Sequence, residues 1–179
     1  MLSVNNLSVQ FGKRVLFDEV NVTFTPGNCY GIIGANGAGK STFLKIICGL
    51  QEANSGSVFL EPGKRLSVLE QNHNAYDTFP VLETVLMGNK PLFQIKQAIE
   101  DLYAKPDFSD ADGERVGELQ IEFEEMDGWN AESDAAYFLP NLEIPAHLHH
   151  TAMAHLYGIQ KVRVILAQAL LGNPDVLIM

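Results

Sequence analysis

A chain of 179 residues, 46% apolar and 19% charged, is long enough for one or two domains with a real core and too apolar to be disordered. Its net charge of −10 argues against a protein that coats nucleic acid through its overall field, while leaving a local RNA contact open. No run approaches about 18 consecutive apolar residues, so no membrane span is expected. The start, Met1-Leu2-Ser3-Val4-Asn5-Asn6, lacks a basic region and a signal core, which points to the cytoplasm.

Met1 to Val9 alternates loosely and predicts a strand, turned at Phe11-Gly12. Val20, Val22 and Phe24 alternate as a second strand, closed by Pro26-Gly27. Asn28 to Ile33 is a short apolar run that suits a buried strand. Cys29 and Cys48 fall on a predicted strand and a predicted helix, and are expected to be buried free thiols.

Next comes Gly34-Ala35-Asn36-Gly37-Ala38-Gly39-Lys40-Ser41-Thr42, which reads G-x-x-x-x-G-K-[ST], the phosphate-binding loop pattern. Gly34, Gly37 and Gly39 let the backbone curl into a nest with its N–H groups pointing inward. A helix starting near Lys40 adds its positive end to that nest. Lys40 would reach the β- and γ-phosphates as a point charge; Ser41 would offer its hydroxyl to Mg²⁺, with Thr42 beside it. A helix is predicted over Ser41 to Leu50, because Phe43, Ile46, Ile47 and Leu50 fall on one face.

Asn54-Ser55-Gly56 then turns into a strand at Ser57–Leu60, and Glu61-Pro62-Gly63 into another at Arg65–Leu69. Antiparallel hairpins thus mix with a parallel core. Gln71 follows the last of these strands; alone, a loop glutamine reads as a solvated surface residue. Ile95, Ile99, Leu102 and Tyr103 keep helical spacing up to Pro106. Ser109-Asp110-Ala111-Asp112 resembles an N-terminal cap, and Val116, Leu119, Phe123 and Met126 continue on one face, which predicts a helical hairpin. A third helix is expected over Trp129 to Leu139, ended by Pro140.

Lys90 to Asp127 holds four cations against eleven carboxylates, a net −7. It reads as a solvated helix face or as a projecting arm that meets a partner. His147, His149, His150 and His155 lack metal-ligand spacing and are expected to be surface histidines. Val162, Ile165, Leu166, Ala169 and Leu170 define the last helix, which Gly172-Asn173-Pro174 stops. Asp175 leads into the apolar strand Val176–Met179.

Taken in order, the phosphate loop, the glutamine after a later strand, the L-x-G-x-Q stretch Leu156–Gln160, and a helix followed by Asn173-Pro174-Asp175 resemble the ATP-binding cassette family. More narrowly, they resemble the first cassette of an ABC-F protein, a soluble tandem-cassette ATPase; Phe11-Gly12, Leu166-Ala167-Gln168-Ala169-Leu170 and Gly172–Asp175 fit that subfamily. The resemblance implies an α/β P-loop NTPase cassette with a parallel core sheet, antiparallel N-terminal strands and a helical insertion. The organisation expected is a phosphate-loop core over 1–88, a helical subdomain with an arm-like insertion over 89–155, and a signature helix with the last core strand over 156–179. It implies ATP and Mg²⁺ as cofactors, held by Phe11 on the adenine and by Gly34, Asn36, Gly37, Ala38, Gly39, Lys40, Ser41 and Thr42 on the phosphates. Catalytic roles would fall to Lys40 and Gln71, with Ser41 and Gln71 near the metal. Tyr157, Gly158, Ile159 and Gln160 match the signature stretch, which meets a γ-phosphate held by a partner cassette.

Two departures from the family pattern stand out. Tyr157 replaces the signature serine and Ile159 its second glycine, so the phosphate contact in trans is expected to be weak or absent. Met179 precedes the positions where the family carries its Mg²⁺-holding Asp and water-orienting Glu, so the chain alone is expected to bind ATP and hydrolyse it poorly. The subfamily resemblance implies a second cassette and the ribosome as partners, in translation or antibiotic resistance. A transporter nucleotide-binding subunit and a non-catalytic, decayed cassette are the alternatives.

Overall fold

A computed structural model describes residues 1–69 and 72–179. The described residues divide into two compact units: Met1–Val68 with Pro174–Met179, and Leu69–Asn173.

In the first unit, β1 (Leu2–Phe11) lies between β2 (Arg14–Phe24) and β3 (Ser55–Leu60), antiparallel to both. Leu2, Val4, Leu7 and Val9 of β1 are all buried. Strict alternation would turn Leu7 and Val9 to the other face from Leu2 and Val4. An irregularity between Val4 and Leu7 resets the phase, and Asn6 there has φ 48°. Asn6 and Asn21 hold this bulge through two 2.9 Å hydrogen bonds. Gly56 on β3 passes so close that a Cβ would sit 2.4 Å from the Asn6 carbonyl oxygen.

Helix α1 (Lys40–Ile47) contributes Ile46 and Ile47 to the same core. It ends three residues earlier than expected, at a turn through Gly49 (φ 70°), so Leu50 points into solvent instead of the core. The short strands β4 (Leu66–Val68) and β5 (Val176–Ile178) pair in parallel. Asp175 fixes their start. Its carboxylate accepts from the Arg65 N–H and the Lys64 ammonium, each at 2.9 Å, and these bonds hold its pKa below the ordinary carboxylate value.

The expected strand Asn28–Ile33 is not a strand. A strand exists through its ladder, and this segment has none among the described residues. Its apolar side chains are consequently open, Ile33 being 96% exposed. Cys29 is exposed and Cys48 half-buried, so neither thiol is buried as expected. Tyr30 is tied down locally, edge-on to Phe24 and hydrogen-bonded through its hydroxyl to Thr25.

The second unit is helical: α2 (Val81–Leu86), α3 (Lys90–Tyr103), α4 (Asp110–Glu125), α5 (Gly128–Phe138) and α6 (Gly158–Leu170), with three 3-10 turns between α5 and α6. Helix α2 was not legible, since six residues give no helical period and two of them are β-branched valines. It packs on α6, where Gly88 lies against the Gln168 carbonyl and the Gln168 amide donates to the Thr84 carbonyl at 2.9 Å. The expected cap at Ser109 is present as a reciprocal box with Asp112. His149 is buried, 5% exposed, with Nε2 3.3 Å from the Ile144 carbonyl oxygen; the surface expectation holds for the other three histidines only. No helix among the described residues is long and apolar enough to cross a membrane.

Candidate nucleotide site

The loop Gly34–Gly39 leads directly into α1, whose N-cap is Gly39 in the left-handed region (φ 92°). A Cβ on Gly39 would meet the Phe17 ring at 3.1 Å and Leu16 at 3.2 Å, so any side chain there is both strained in its backbone and crowded. Gly37 is also left-handed, at φ 78°. No side chain caps α1 and no acidic residue lies in its first turn. Since the first amides of any helix lack intrahelical partners, those at Lys40, Ser41 and Thr42 present donors to an anion.

Two cations brace the loop. Lys40 Nζ donates to the carbonyls of Gly34 (2.7 Å) and Ala35 (3.0 Å), so its charge is held over the loop mouth. Arg14 donates to the Gly37 carbonyl at 2.9 Å. Arg14 is also the ladder partner of Phe11 at the end of the β1–β2 hairpin, which brings the tip of that hairpin to the loop. Phe11 itself is 56% exposed and is not a core residue. Sequence reasoning missed Arg14: a basic pair after a turn, Lys13-Arg14, carries no signal until the hairpin is folded.

Asn36, Ala38 and Ser41 are exposed and Thr42 is half-buried. The Ala38 N–H turns back to the Ala35 carbonyl at 3.1 Å. These donors fit a polyphosphate, and the exposed Ser41 hydroxyl fits a hard cation that prefers oxygen. Gln71 lies outside the described residues.

The signature stretch belongs to the second unit, at the start of α6. Tyr157 is 78% and Ile159 61% exposed. Gln160 folds back so that its side-chain oxygen accepts the Tyr157 N–H at 3.0 Å. Gly158 has open space where a Cβ would be. One turn further on, Lys161 is buried and bonded to Asp77 and Asn74, tying α6 to the segment before α2.

A glycine nest at a helix mouth, a lysine across it and an α/β core with a helical unit define the class: a P-loop nucleotide-binding cassette. The sequence profile of the family described as ABC transporter matches residues 17–179, and the chain belongs to that family. It is 55% identical over its whole length to the uncharacterized ABC transporter ATP-binding protein YkpA of Bacillus subtilis, covering 33% of that protein. It is 31% identical over 172 residues to the energy-dependent translational throttle protein EttA of Mycobacterium tuberculosis, covering 94% of this chain and 30% of that one. The chain thus spans about a third of the length of these curated relatives. Among solved structures, the dimeric ABC transporter cassette MJ0796 superposes with a TM-score of 0.65 at 22% identity, covering 99% of this chain and 72% of that one. This likeness shows the fold.

Proposed function

We propose that the chain is the ATP-binding module of an ABC-F-type ATPase that acts on the ribosome in the cytoplasm. The carrying observation is the uncapped, glycine-lined mouth of α1 with Lys40 held across it. ATP binds there with its phosphates on the amides of Gly37 and of Gly39 to Thr42, and Lys40 exchanges two neutral carbonyls for phosphate oxygens. An opposite full charge attracts the ammonium more strongly than a carbonyl dipole does, which favours that exchange. Ser41 would supply an oxygen to Mg²⁺, which would neutralise phosphate charge. Phe11, exposed at the hairpin tip, offers a ring face to adenine. Gln71 takes the metal-sensing role that the family pattern gives it.

The long helical segment 90–127 supports the soluble subfamily, and the relative named as a translational throttle supports the ribosomal reading over the transporter one. A second reading, a cassette whose own signature no longer serves, is favoured by the exposed Tyr157 and Ile159. The domain division proposed from the sequence, with an arm inside 89–155, belongs to the same reading. Sedimentation of the chain with ribosomes or with membrane vesicles, with and without ATP, tests the choice. ATP-dependent pelleting with ribosomes is expected; pelleting with vesicles alone would favour the transporter. Turnover of ATP by this chain should be far below that of an intact cassette protein, and a comparable rate abolished by Lys40→Ala would contradict the proposal.

A further inference from the structure

A groove of about 270 Å³ opens between α3, α4 and α5. Its floor is Leu92, Ile99 and Phe123, all buried, and its walls carry Tyr103 (58% exposed) and Trp129 (60% exposed). Trp129 stands edge-on to Phe123 at 5.0 Å, and Gly128 beside it admits the Phe123 ring where any Cβ would collide at 2.6 Å. Glycine therefore shapes this groove. Small-molecule sites usually measure about 300–1,000 Å³ and enclose their ligand, so this volume suits a few apolar side chains from a docked element better than a cofactor.

Charge decides what kind of element. Among the described residues lining the groove, the cation is Lys96, and Glu100 (3.7 Å) and Glu132 (3.8 Å) flank it. The rim is thus net negative. The surrounding segment 90–127 carries −7, and Glu114, Glu118, Glu122, Glu124 and Glu125 are exposed on α4. Such a surface repels a phosphate backbone, whose binding depends on Lys and Arg. It attracts a cationic partner and speeds the encounter.

We propose that this groove docks a cationic amphipathic helix of a protein partner, apolar side chains down on Phe123 and Trp129 and basic ones along the carboxylate rim. The mode is a helix laid in a groove, read through anchors at i, i+3, i+4 and i+7. The inference goes beyond the nucleotide reading and does not require it.

Trp129 is the chain's single tryptophan, so its emission reports the groove. The probe is a fluorescein-labelled peptide, about 18 residues long, with Leu on one helical face and Lys on the other. Saturable binding with a change in Trp129 emission is expected. A scrambled peptide of the same composition should bind at least about tenfold more weakly, because it loses the apolar face. The double variant Glu100→Lys/Glu132→Lys alters two half-exposed side chains and should also weaken binding about tenfold, with the effect shrinking at high salt. Trp129→Ala, followed by anisotropy of the labelled peptide, should weaken binding as well. Equal affinity for the scrambled peptide, or indifference to both sets of variants, overturns the proposal. So does an RNA oligonucleotide that shifts Trp129 emission when the peptide does not.

Discussion

Helices α1 and α4 begin in opposite ways. At α4, Ser109 and Asp112 satisfy each other's backbone amides, and the Lys105 ammonium, with the Ser109 hydroxyl, holds the Asp112 carboxyl well below the usual carboxylate range. At α1 the same position is glycine, no side chain caps the first amides, and the first turn holds a lysine instead of an acid. A capped start supports its helix and excludes a ligand from the amides. An uncapped, cationic start leaves them for an anion at some expense of stability. The start of α6 lies between the two, with Gln160 closing one amide and Tyr157 and Ile159 standing outside.

The largest effect should come from the charge at α1. A hydrogen bond to a charged group contributes about 1.5–3 kcal/mol, so Lys40→Ala should weaken ATP binding roughly ten- to a hundred-fold in a calorimetric titration. Because the lysine is half-exposed, the melting temperature should hardly move; a folding defect instead would break the contrast with α4. Gly39→Ala should cost both stability and affinity, since φ 92° with a ring at 3.1 Å imposes strain of about 1–3 kcal/mol. Urea unfolding measures the first and ATP titration the second. Ser109→Ala sharpens the comparison from the other side. Loss of the α4 cap should destabilise the chain by about 1 kcal/mol and leave ATP affinity unchanged.

Acid acts on the capped helix and not on the open one. Asp112 has a depressed pKa, so its contribution is full above the ordinary carboxylate value near 4 and is lost as pH falls through its own lower one. Asp175 at β5 behaves the same way. Lys64, whose pKa that carboxylate raises, has the opposite sign: its contribution is full below the ordinary lysine value and fades as pH rises through its raised one. Circular dichroism between pH 5 and 2 should show loss of stability that Asp112→Asn flattens. Smallest of all, Tyr157→Ser should shift stability by less than about 0.5 kcal/mol, the side chain being 78% exposed.

What the sequence made readable follows the same division. The glycine-rich loop, the Ser109 cap and the last helix were plain, because each depends on residues a few positions apart. Strand Asn28–Ile33 looked plain and failed, since its apolar run says nothing about whether a neighbour supplies a ladder. The Arg14 bond to Gly37, the buried His149 and the Asp77–Lys161 pair join residues brought together only by folding. The role of Gln71 rests on its place in the motif order alone.

Amide proton shifts on adding ATP with Mg²⁺ report the open helix mouth directly. The account predicts large, saturable shifts at Gly39, Lys40 and Ser41, small ones at Ser109–Asp112, and their loss in Lys40→Ala. Shifts confined to other segments, or none at millimolar ATP, would contradict it.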